Sequence, residues 1–480
     1  MYNNSIYYLL GNILNKKNIK YFIFKGSYKL EKPFSGDGDL DLFVSSIDAG
    51  ELISIAEKIG FILLENTPIF NENFMKDLFY YDSKQDKKFH LQIHTQLNFG
   101  NRIASDLNLN LEIFLLKNRI KSEEFNLYIL PPELDLILLK YRKHYQYGKS
   151  WYKRESFREQ LVKIQTEHKK KNNNLDYLKE AFNNEECLFI QNLLLNREKI
   201  SSKLNLKKKP ILFKYRRFVN RVFILRVFYK VFYKITKHSL VGKRRIPFAG
   251  KVVVLVGIDG SGKSSSMNHL VNIFSKIVDV EKITLGSGQS GASLIRRIIF
   301  YIFGTNAFLN GHKGTRNSEN RKDNKKRISF VYALWIYLCT RDKRSNISKM
   351  HKAFLKGKLI FVDRWIQEID LNFADAPRLN RYREEKGFVG YVARFEQFYF
   401  DQIKLFKPDQ IILLNITPET SVIRKPKDLT LEQAKRSALN MINFPWINIG
   451  KVKIIDANVS HEKVLKEISK SVWNVLKSNK

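Results

Sequence analysis

The sequence predicts an α/β fold for the second half of the chain, preceded by an α+β domain. The chain has 480 residues, which is long for one domain. A run of β-branched and aliphatic residues at 252–256 leads into a glycine-rich turn and then a helical pattern. Apolar strands and helical segments alternate from there to the C-terminus, which predicts a doubly wound parallel sheet with helices on both faces. We expect domains at residues 1–196 and 249–480, joined by a basic helical connector at 197–248.

Composition narrows the class of protein without identifying it. The 84 Lys and Arg residues outnumber 47 Asp and Glu residues, giving a formal net charge of +37. This charge favours anionic partners, although scattered lysines are also typical of a solvated surface. No window approaches the roughly 20 apolar residues of a membrane span, and no signal-peptide pattern is visible. The two cysteines, Cys187 and Cys339, form no metal-binding pattern. We therefore expect a cytoplasmic protein.

The first domain carries one candidate phosphate site. A predicted strand at 21–24 leads to Gly26 and Ser27, a turn able to hold the phosphates of a nucleotide. In the next predicted strand, alternation places Asp39 and Asp41 on the same face. Two neighbouring carboxylates are costly unless a cation lies between them, and Mg²⁺ is the usual one. Asp39 and Asp41 are therefore predicted to bind metal.

These residues resemble the first motif of the nucleotidyltransferase superfamily, a Gly-Ser turn followed by D-x-D on the next strand. The resemblance implies a third carboxylate on a later strand, in the stretch Leu91-Gln92-Ile93-His94. Gln92 stands where that carboxylate is expected, and an amide cannot bring charge to a metal pair. Two alternatives stay open: an active transferase, or a domain that binds a nucleotide or phosphosugar with reduced or lost activity.

Two other features of the first domain are interpreted as structural. His90 and His94 have no metal-ligand pattern around them. The stretch Leu130-Pro131-Pro132-Glu133 predicts a helix that starts at a proline. Helical sequence up to about Asn196 is predicted to complete the domain as a helical cap.

The connector has a different character. From Phe213 to Ile235, apolar residues recur at helical spacing, and Arg and Lys occupy many of the other positions with no acidic residue among them. Two interpretations stay open. In one, the apolar stripe packs against a flanking domain. In the other, the helix binds an anionic membrane surface, with a binding free energy of about 1 kcal/mol for each basic residue near the headgroups. Membrane binding would place the protein at the inner face of the membrane. Nucleic acid is disfavoured as a partner because no reader module is visible.

The second domain begins with a phosphate-binding loop of the pattern G-x-x-x-x-G-K-S between a predicted strand and helix. Glycines let backbone N–H groups point at a phosphate, and the helix N-terminus adds partial positive charge. Lys263 is expected to reach the β- and γ-phosphates, and the Ser264 hydroxyl to bind Mg²⁺. The residues assigned to cofactor binding here are Gly257, Asp259, Gly260, Ser261, Gly262, Lys263, Ser264 and Ser265.

A further predicted strand, 358–362, runs into Asp363, Arg364 and Trp365. A carboxylate at the C-terminal end of a parallel strand beside the loop strand is well placed to hold Mg²⁺ or its water. The adjacent arginine is placed to hold an acceptor phosphate. Predicted strands at 410–415 and 453–456 complete the alternating pattern.

These motifs resemble thymidylate kinase, and the similarity covers about residue 249 to the C-terminus. By resemblance, Lys263 and Ser264 serve ATP and Mg²⁺, and Asp259 lies near the acceptor. Asp363 and Arg364 organise metal and acceptor phosphate, and Arg424 leads into a mobile lid. The matching segments are Gly257-x-Asp259-x-x-Gly262-Lys263-Ser264, Asp363-Arg364-Trp365, Pro408-Asp409, Thr417-Pro418-Glu419 and Arg424.

One segment departs from this family. Thymidylate kinases carry Thr-Arg-Glu-Pro after the second strand, whereas Gly286–Gly291 is glycine- and serine-rich and uncharged. We expect an ATP- and Mg²⁺-dependent phosphotransferase whose acceptor is a nucleoside monophosphate such as dTMP. Two alternatives stay open. One is a kinase for a phosphorylated sugar or polyol, since the domain pair resembles proteins associated with bacterial surface-polysaccharide gene sets. The other is a nucleotide-gated scaffold at the membrane surface with a degenerate transferase domain.

Overall fold

The chain divides into two compact units, unit 1 (Met1–Arg244) and unit 2 (Arg245–Lys480). Most of the predicted connector lies outside the described residues, so its helix and the boundaries at 196 and 248 stay predictions. In the computed structural model, the described residues are 5–66, 74–99, 107–147, 155–171, 175–194, 213–215, 228, 231–232, 244–286, 293, 296, 328–368, 376–426 and 430–478.

Unit 1 combines a mixed sheet with helices. Its elements in chain order are α1 (Ile6–Lys16), β1 (Tyr21–Lys25), α2 (Glu31–Phe34), β2 (Asp39–Val44), α3 (Ala49–Lys58), β3 (Ile62–Asn66), β4 (Met75–Asp82), β5 (Lys87–His94), β6 (Asn98–Phe99), β7 (Leu107–Leu109), α4 (Glu112–Lys117), β8 (Ile120–Ser122), β9 (Leu127–Ile129), α5 (Pro132–Tyr147), α6 (Glu155–Lys171), α7 (Asn184–Leu194) and β10 (Phe213–Tyr215), with β11 (Arg244–Arg245) at the unit boundary.

The main sheet of unit 1 has the order β1-β2-β5-β4-β3-β11. Strand β2 pairs antiparallel with β1 and parallel with β5. One face is apolar, because alternating residues such as Leu40, Leu42 and Leu91 are buried in a core that includes residues of α1 and α3. Because successive side chains point to opposite faces of the sheet, Asp39 and Asp41 lie on the other face. A second core includes residues of α5, α6 and α7. Helix α5 starts at Pro132, in agreement with the predicted proline-started helix.

Unit 2 is an α/β structure built on a five-stranded parallel sheet of order β13-β14-β12-β15-β16. This confirms the predicted α/β class and parallel sheet. Its elements are β12 (Lys251–Gly257), α8 (Lys263–Phe274), β13 (Val280–Thr284), α9 (Phe330–Leu355), β14 (Leu359–Asp363), α10 (Gly387–Lys404), β15 (Gln410–Asn415), α11 (Pro418–Arg424), α12 (Leu431–Asn443), β16 (Val452–Asp456) and α13 (His461–Lys477).

Helices cover both faces of this sheet. On one face, Val252 and Val254 of β12 share a core with Met350 of α9 and Tyr399 of α10. On the other face, Phe361 of β14 contacts Phe274 of α8, with ring centroids 6.1 Å apart. Burial on both faces explains why the strands read as continuous apolar runs rather than alternating ones.

Most of the Gly286–Gly291 segment, which departs from the thymidylate kinase pattern in the sequence, lies outside the described residues. Within the described residues, no helix is long and apolar enough to cross a membrane.

The central position of β12 yields a stability prediction. Leu255→Ala removes a fully buried side chain from the middle strand of unit 2, and we expect it to lower the free energy of unfolding by about 2–5 kcal/mol. The matched control is Ile454→Ala on the edge strand β16, whose side chain is 59% exposed and whose loss should cost about 0.5 kcal/mol or less. Denaturant unfolding followed by tryptophan fluorescence measures both, and equal losses in the two variants would contradict the burial assigned to Leu255.

Candidate functional site

The phosphate-binding loop of unit 2 joins the end of β12 to the start of α8. Gly260 and Gly262 adopt left-handed backbone conformations, with φ of 82° and 88°. A side chain at either position would be strained, which accounts for glycine at both. A Cβ atom on Gly260 would also lie 2.9 Å from the Ser421 carbonyl oxygen, so the loop packs closely against α11.

Lys263 is folded back onto this loop. Its Nζ donates hydrogen bonds to the carbonyl oxygens of Gly257 at 2.9 Å and Ile258 at 2.8 Å. Burial lowers the pKa of Lys263 to about 8, although the nearby Asp259 carboxylate opposes the shift. A buried ammonium that an anion could stabilise further is therefore present at the centre of the loop.

Asp363 is the last residue of β14. The sequence predicted a strand that ends one residue earlier, at 362. The parallel pairing of β12 with β14 places Asp363 opposite Leu255, two residues before the loop begins. Its Oδ1 atom is buried and has no hydrogen-bond partner among the described residues. A buried carboxylate oxygen without a partner is costly, so this atom is suited to a cation or its water.

Arg364 follows in a conformation that non-glycine residues rarely adopt, with φ of 65°. Its backbone N–H donates to the Leu255 carbonyl oxygen at 3.1 Å, and its Nη2 lies 3.8 Å from Asp259 Oδ1. The unusual backbone turns this exposed guanidinium toward the loop. Strain of this kind is common where a side chain must be aimed at a ligand.

Helix α11 fixes the other side of the loop. Arg424 donates from Nη1 to the Gly260 carbonyl oxygen at 3.3 Å and from Nη2 to the Ala457 carbonyl oxygen at 3.1 Å. Ser421, which sequence reasoning missed, donates from Oγ to the Asp259 carbonyl oxygen at 2.6 Å. The structure thus brings Arg424 to the loop, and its role at a lid stays a prediction.

The residues of this site fit a magnesium ion. Ser264 lies in the first turn of α8 with its side chain exposed, and the Asp363 Oδ1 atom lacks a partner in the described chain. Hydroxyl and carboxylate oxygens are the ligands that Mg²⁺ takes in phosphate sites. The arrangement in unit 2 is therefore a P-loop-type site with a carboxylate and an arginine beside it.

The Gly-Ser turn of unit 1 forms as expected. Gly26 adopts a left-handed conformation with φ of 77°, and Ser27 starts a short 3-10 turn. The Ser27 hydroxyl donates a short hydrogen bond to Asp135, a residue of α5 that sequence reasoning missed. Burial raises the pKa of Asp135 despite this bond. The turn is thus in contact with a buried carboxyl group.

Asp41 is already paired with a protein cation. Lys25 Nζ lies 2.7 Å from Asp41 Oδ1, and His94 Nε2 lies 2.9 Å from the same atom. Burial alone would raise the pKa of Asp41, but the Lys25 ammonium and the His94 hydrogen bond outweigh it, so this pKa lies well below its usual range. Asp41 is therefore an ionised group in a closed ion pair.

His90 bridges two other carboxylates, those of Asp39 and Asp77. Its Nδ1 lies 2.8 Å from Asp39 Oδ1, and its Nε2 lies 2.6 Å from Asp77 Oδ1. Burial opposes protonation, but these two contacts raise the pKa of His90. Gln92 donates from Nε2 to the same Asp77 oxygen at 3.1 Å. The histidines interpreted as structural therefore contact the predicted metal ligands directly.

Asp77 is the carboxylate that sequence reasoning missed in unit 1. It lies on β4, where the antiparallel register places it opposite Gln92. The only signal for it was alternation within Met75–Asp82, and that pattern does not reveal which strand is the neighbour. A third acidic group thus lies on the face of the sheet that carries Asp39 and Asp41. It is on β4, the strand next to β5, where the third carboxylate was expected.

The unit 1 cluster does not fit a divalent cation as arranged. Asp41 is neutralised by Lys25, and Asp39 and Asp77 share His90. Among the described residues, no group of three or more His, Cys, Asp or Glu side chains is arranged to hold a metal ion. The metal-binding roles of Asp39 and Asp41 stay predictions, and we derive no metal-dependent step for unit 1.

Two Escherichia coli proteins resemble just under half of this chain, while no protein-family model matches it. The uncharacterized ATP-binding protein YghR of strain K12 is 26% identical over 225 residues, which is 46% of this chain and 86% of YghR. YghR of Escherichia coli O6:H1, strain CFT073, matches to the same extent. The uncharacterized ATP-binding protein YghS of strain K12 is 26% identical over 220 residues, 44% of this chain and 86% of YghS.

The His90 bridge yields a stability prediction for unit 1. His90→Leu leaves the buried Asp77 without its cation, and we expect a loss of about 3–5 kcal/mol in the free energy of unfolding. Adding Asp77→Asn should recover part of that loss, since the buried charge is then gone.

The pKa of Asp77 is lowered to about 2. The contribution of ionised Asp77 to the stability of unit 1 is therefore present above about pH 4 and disappears as pH falls toward 2.

Denaturant unfolding at pH 7, combined with amide hydrogen exchange of β5, measures this effect. An unfolding midpoint of His90→Leu equal to that of the unaltered chain would contradict the proposed bridge.

Proposed function

We propose that unit 2 is a phosphotransferase that binds ATP with Mg²⁺ and transfers the γ-phosphate to a small acceptor. One observation carries the proposal. Asp363 Oδ1 is buried and lacks a partner among the described residues, and it lies at the end of the strand paired with the loop strand. The names of YghR and YghS as ATP-binding proteins support ATP as the donor.

The donor side of the reaction follows from the loop. When phosphates bind, Lys263 exchanges its two carbonyl contacts for contacts with phosphate oxygens. The negative charge of the phosphates stabilises the protonated form of Lys263, which burial disfavours. The backbone N–H groups of Gly260–Lys263 and the N-terminus of α8 add partial positive charge around the same anion. Ser264 and Asp363 would hold Mg²⁺, which would supply positive charge against the phosphates when bound.

The acceptor side is formed by Arg364 and Asp259. The Arg364 guanidinium is exposed and directed toward the loop by its backbone, so it can hold an anionic group beside the γ-phosphate. Asp259 lies within 3.9 Å of Lys263 Nζ and 3.8 Å of Arg364 Nη2, between the two cations. This arrangement suits an acceptor that carries a phosphate, and positioning of the two phosphates supplies most of the catalysis.

Two acceptor classes follow from the sequence. A nucleoside monophosphate of the dTMP type agrees with the thymidylate kinase resemblance, and a phosphorylated sugar or polyol is the alternative. By the family resemblance, the choice depends on the sequence after the second strand, where the family's charged motif is replaced by Gly286–Gly291. We favour a nucleoside monophosphate because Asp363-Arg364 followed by an aromatic residue resembles that family's second motif, with Trp365 in place of the usual tyrosine.

Nucleotidyl transfer by unit 1 is the second candidate function. Asp77 supports it, because this carboxylate lies beside Gln92 on the face that carries Asp39 and Asp41. The ion pairs of Lys25 and His90 with these carboxylates favour the alternative, in which unit 1 binds a phosphorylated ligand without transfer.

An acceptor screen tests the proposed phosphotransfer. ADP formation from ATP and Mg²⁺ should appear with one acceptor class among nucleoside monophosphates, sugars and polyol phosphates. Arg364→Ala should lower turnover by about 100-fold, since one transition-state donor is lost. Arg381→Ala, which removes an exposed arginine on a different segment, is the matched control and should retain full turnover.

The dependence on acceptor is the informative result. ADP formation that no acceptor stimulates, or that Arg364→Ala leaves unchanged, would contradict phosphotransfer at this site.

A further inference from the structure

One edge of the unit 2 sheet, the edge at which its strands begin, carries a row of exposed apolar side chains. Four of the five most exposed large apolar side chains among the described residues of unit 2 precede a strand of this sheet. They are Phe248 before β12, Leu355 before β14, Leu405 before β15 and Ile447 before β16, at 100%, 72%, 89% and 71% exposure. Exposed apolar residues are ordinary one at a time, but a concentration of them at one edge indicates a contact surface. We call these four residues the apolar row.

Hydrogen bonds hold the apolar row on neighbouring segments. The Gly250 N–H donates to the Phe354 carbonyl oxygen at 2.7 Å, which joins the segments before β12 and β14. The Asp409 N–H donates to the Val252 carbonyl oxygen at 2.9 Å, which joins the segment before β15 to β12. Strand β16 pairs with β15 on its other side. The four apolar side chains therefore follow one another along the edge in the strand order β14-β12-β15-β16.

Phe248 adopts an unusual backbone conformation. Its φ is 69°, in the left-handed region that bulky residues rarely adopt. The Ala249 N–H donates to the Pro247 carbonyl oxygen at 2.9 Å, which closes a tight turn around Phe248. Because the Phe248 side chain is fully exposed, packing within the chain does not offset the strain of this turn. Strained positions of this kind are common where a residue contacts a ligand, so Phe248 indicates a contact outside the chain.

The segments that lead into the strands are also basic. These entry segments are residues 245–250, 275–279, 355–358, 405–409 and 444–451, and they contain six basic residues against two acidic ones, Asp279 and Asp409. The basic residues are Arg245, Lys276, Lys356, Lys358, Lys407 and Lys451. Asp279 is half-buried, Asp409 is paired with Lys251, and Lys358 is paired with Glu281. The other lysines of these segments are exposed, which leaves net positive charge along the edge.

The combination of apolar and basic residues favours an anionic lipid surface over a protein as the partner. The core of a protein–protein interface is depleted of lysine. Here a basic residue lies within four positions of every member of the apolar row, in the pairs Phe248 with Arg245, Leu355 with Lys356, Leu405 with Lys407 and Ile447 with Lys451. An anionic bilayer accepts both kinds of side chain, because apolar groups enter the headgroup region while lysines reach the phosphates.

We propose that unit 2 binds the surface of an anionic bilayer through this edge, with the apolar row inserted among the lipid headgroups. The phosphate loop and Asp363 lie at the opposite edge of the sheet, where β12 and β14 end. Strand β12 has seven residues, so the two edges are about 23 Å apart. The candidate nucleotide site thus faces away from the lipid and stays open to water. This surface goes beyond the proposed phosphotransfer and does not depend on it.

Co-sedimentation of the full chain with vesicles tests the lipid contact. The chain should pellet with vesicles of phosphatidylcholine and phosphatidylserine, much less with phosphatidylcholine alone, and high salt should release it. The double variant Phe248→Ser, Leu355→Ser should lower the partition coefficient by about tenfold or more, because two apolar side chains no longer enter the headgroup region. The matched control is Ile423→Ser on α11, which removes an apolar side chain of similar exposure, 77%, away from this edge and should bind vesicles normally. Circular dichroism verifies that each variant is folded.

A fluorescent label separates this edge from the basic connector as the source of binding. An environment-sensitive dye is attached to Phe248→Cys or, as the control, to Ile423→Cys in the full chain, whose own Cys187 and Cys339 are buried. Anionic vesicles should shift the emission of the dye at 248 to shorter wavelength, because it enters the bilayer surface, and should leave the dye at 423 unchanged.

Three results would overturn the proposal. The first is an unaltered chain that does not pellet with anionic vesicles. The second is pelleting that the double variant does not weaken, with no emission shift at 248, which would assign lipid binding to the connector. The third is self-association without vesicles that the double variant abolishes, which would assign the edge to a protein contact.

Discussion

The parallel pairing of β12 with β14 is the interaction on which the unit 2 site depends. It sets Leu255 opposite Asp363, so a loop and a carboxylate that are far apart in the sequence meet at one edge of the sheet. Both strands are buried on both faces, which fixes their register through packing rather than through a turn. Lys263, Asp363 and Arg364 lie near one another only because that register holds.

The two units differ in how the charge of their buried carboxylates is balanced. Asp363 of unit 2 has a buried oxygen without a partner among the described residues, which stores unfavourable free energy that a cation can relieve. Asp41 and Asp77 of unit 1 are buried as whole residues, but Lys25 and His90 neutralise them within the protein. One site is therefore arranged to receive charge from a ligand, whereas the other has its charge balanced internally.

The sequence predicted the parts of the structure that depend on local pattern. The apolar runs, the glycine-rich loop and the position of Asp363 at a strand end were all predictable, because buried parallel strands and phosphate loops have strong local signatures. Contacts that depend on which strands and helices become neighbours were not predictable. Asp77 reaches Gln92 across an antiparallel register, and Asp135 reaches Ser27 from a distant helix. The conformation of Arg364 likewise reflects tertiary packing rather than residue type.

Titration of ATP into the full chain, with and without Mg²⁺, tests most directly whether the loop is a working nucleotide site. We expect binding that Mg²⁺ strengthens and that Lys263→Ala weakens by about 1.5–3 kcal/mol, or roughly 10- to 150-fold, because charge-assisted hydrogen bonds to phosphate are lost. Lys276→Ala, which removes an exposed lysine just after the same helix, should bind ATP normally. Equal ATP affinity in the unaltered chain and Lys263→Ala, or no binding in either, would contradict the account.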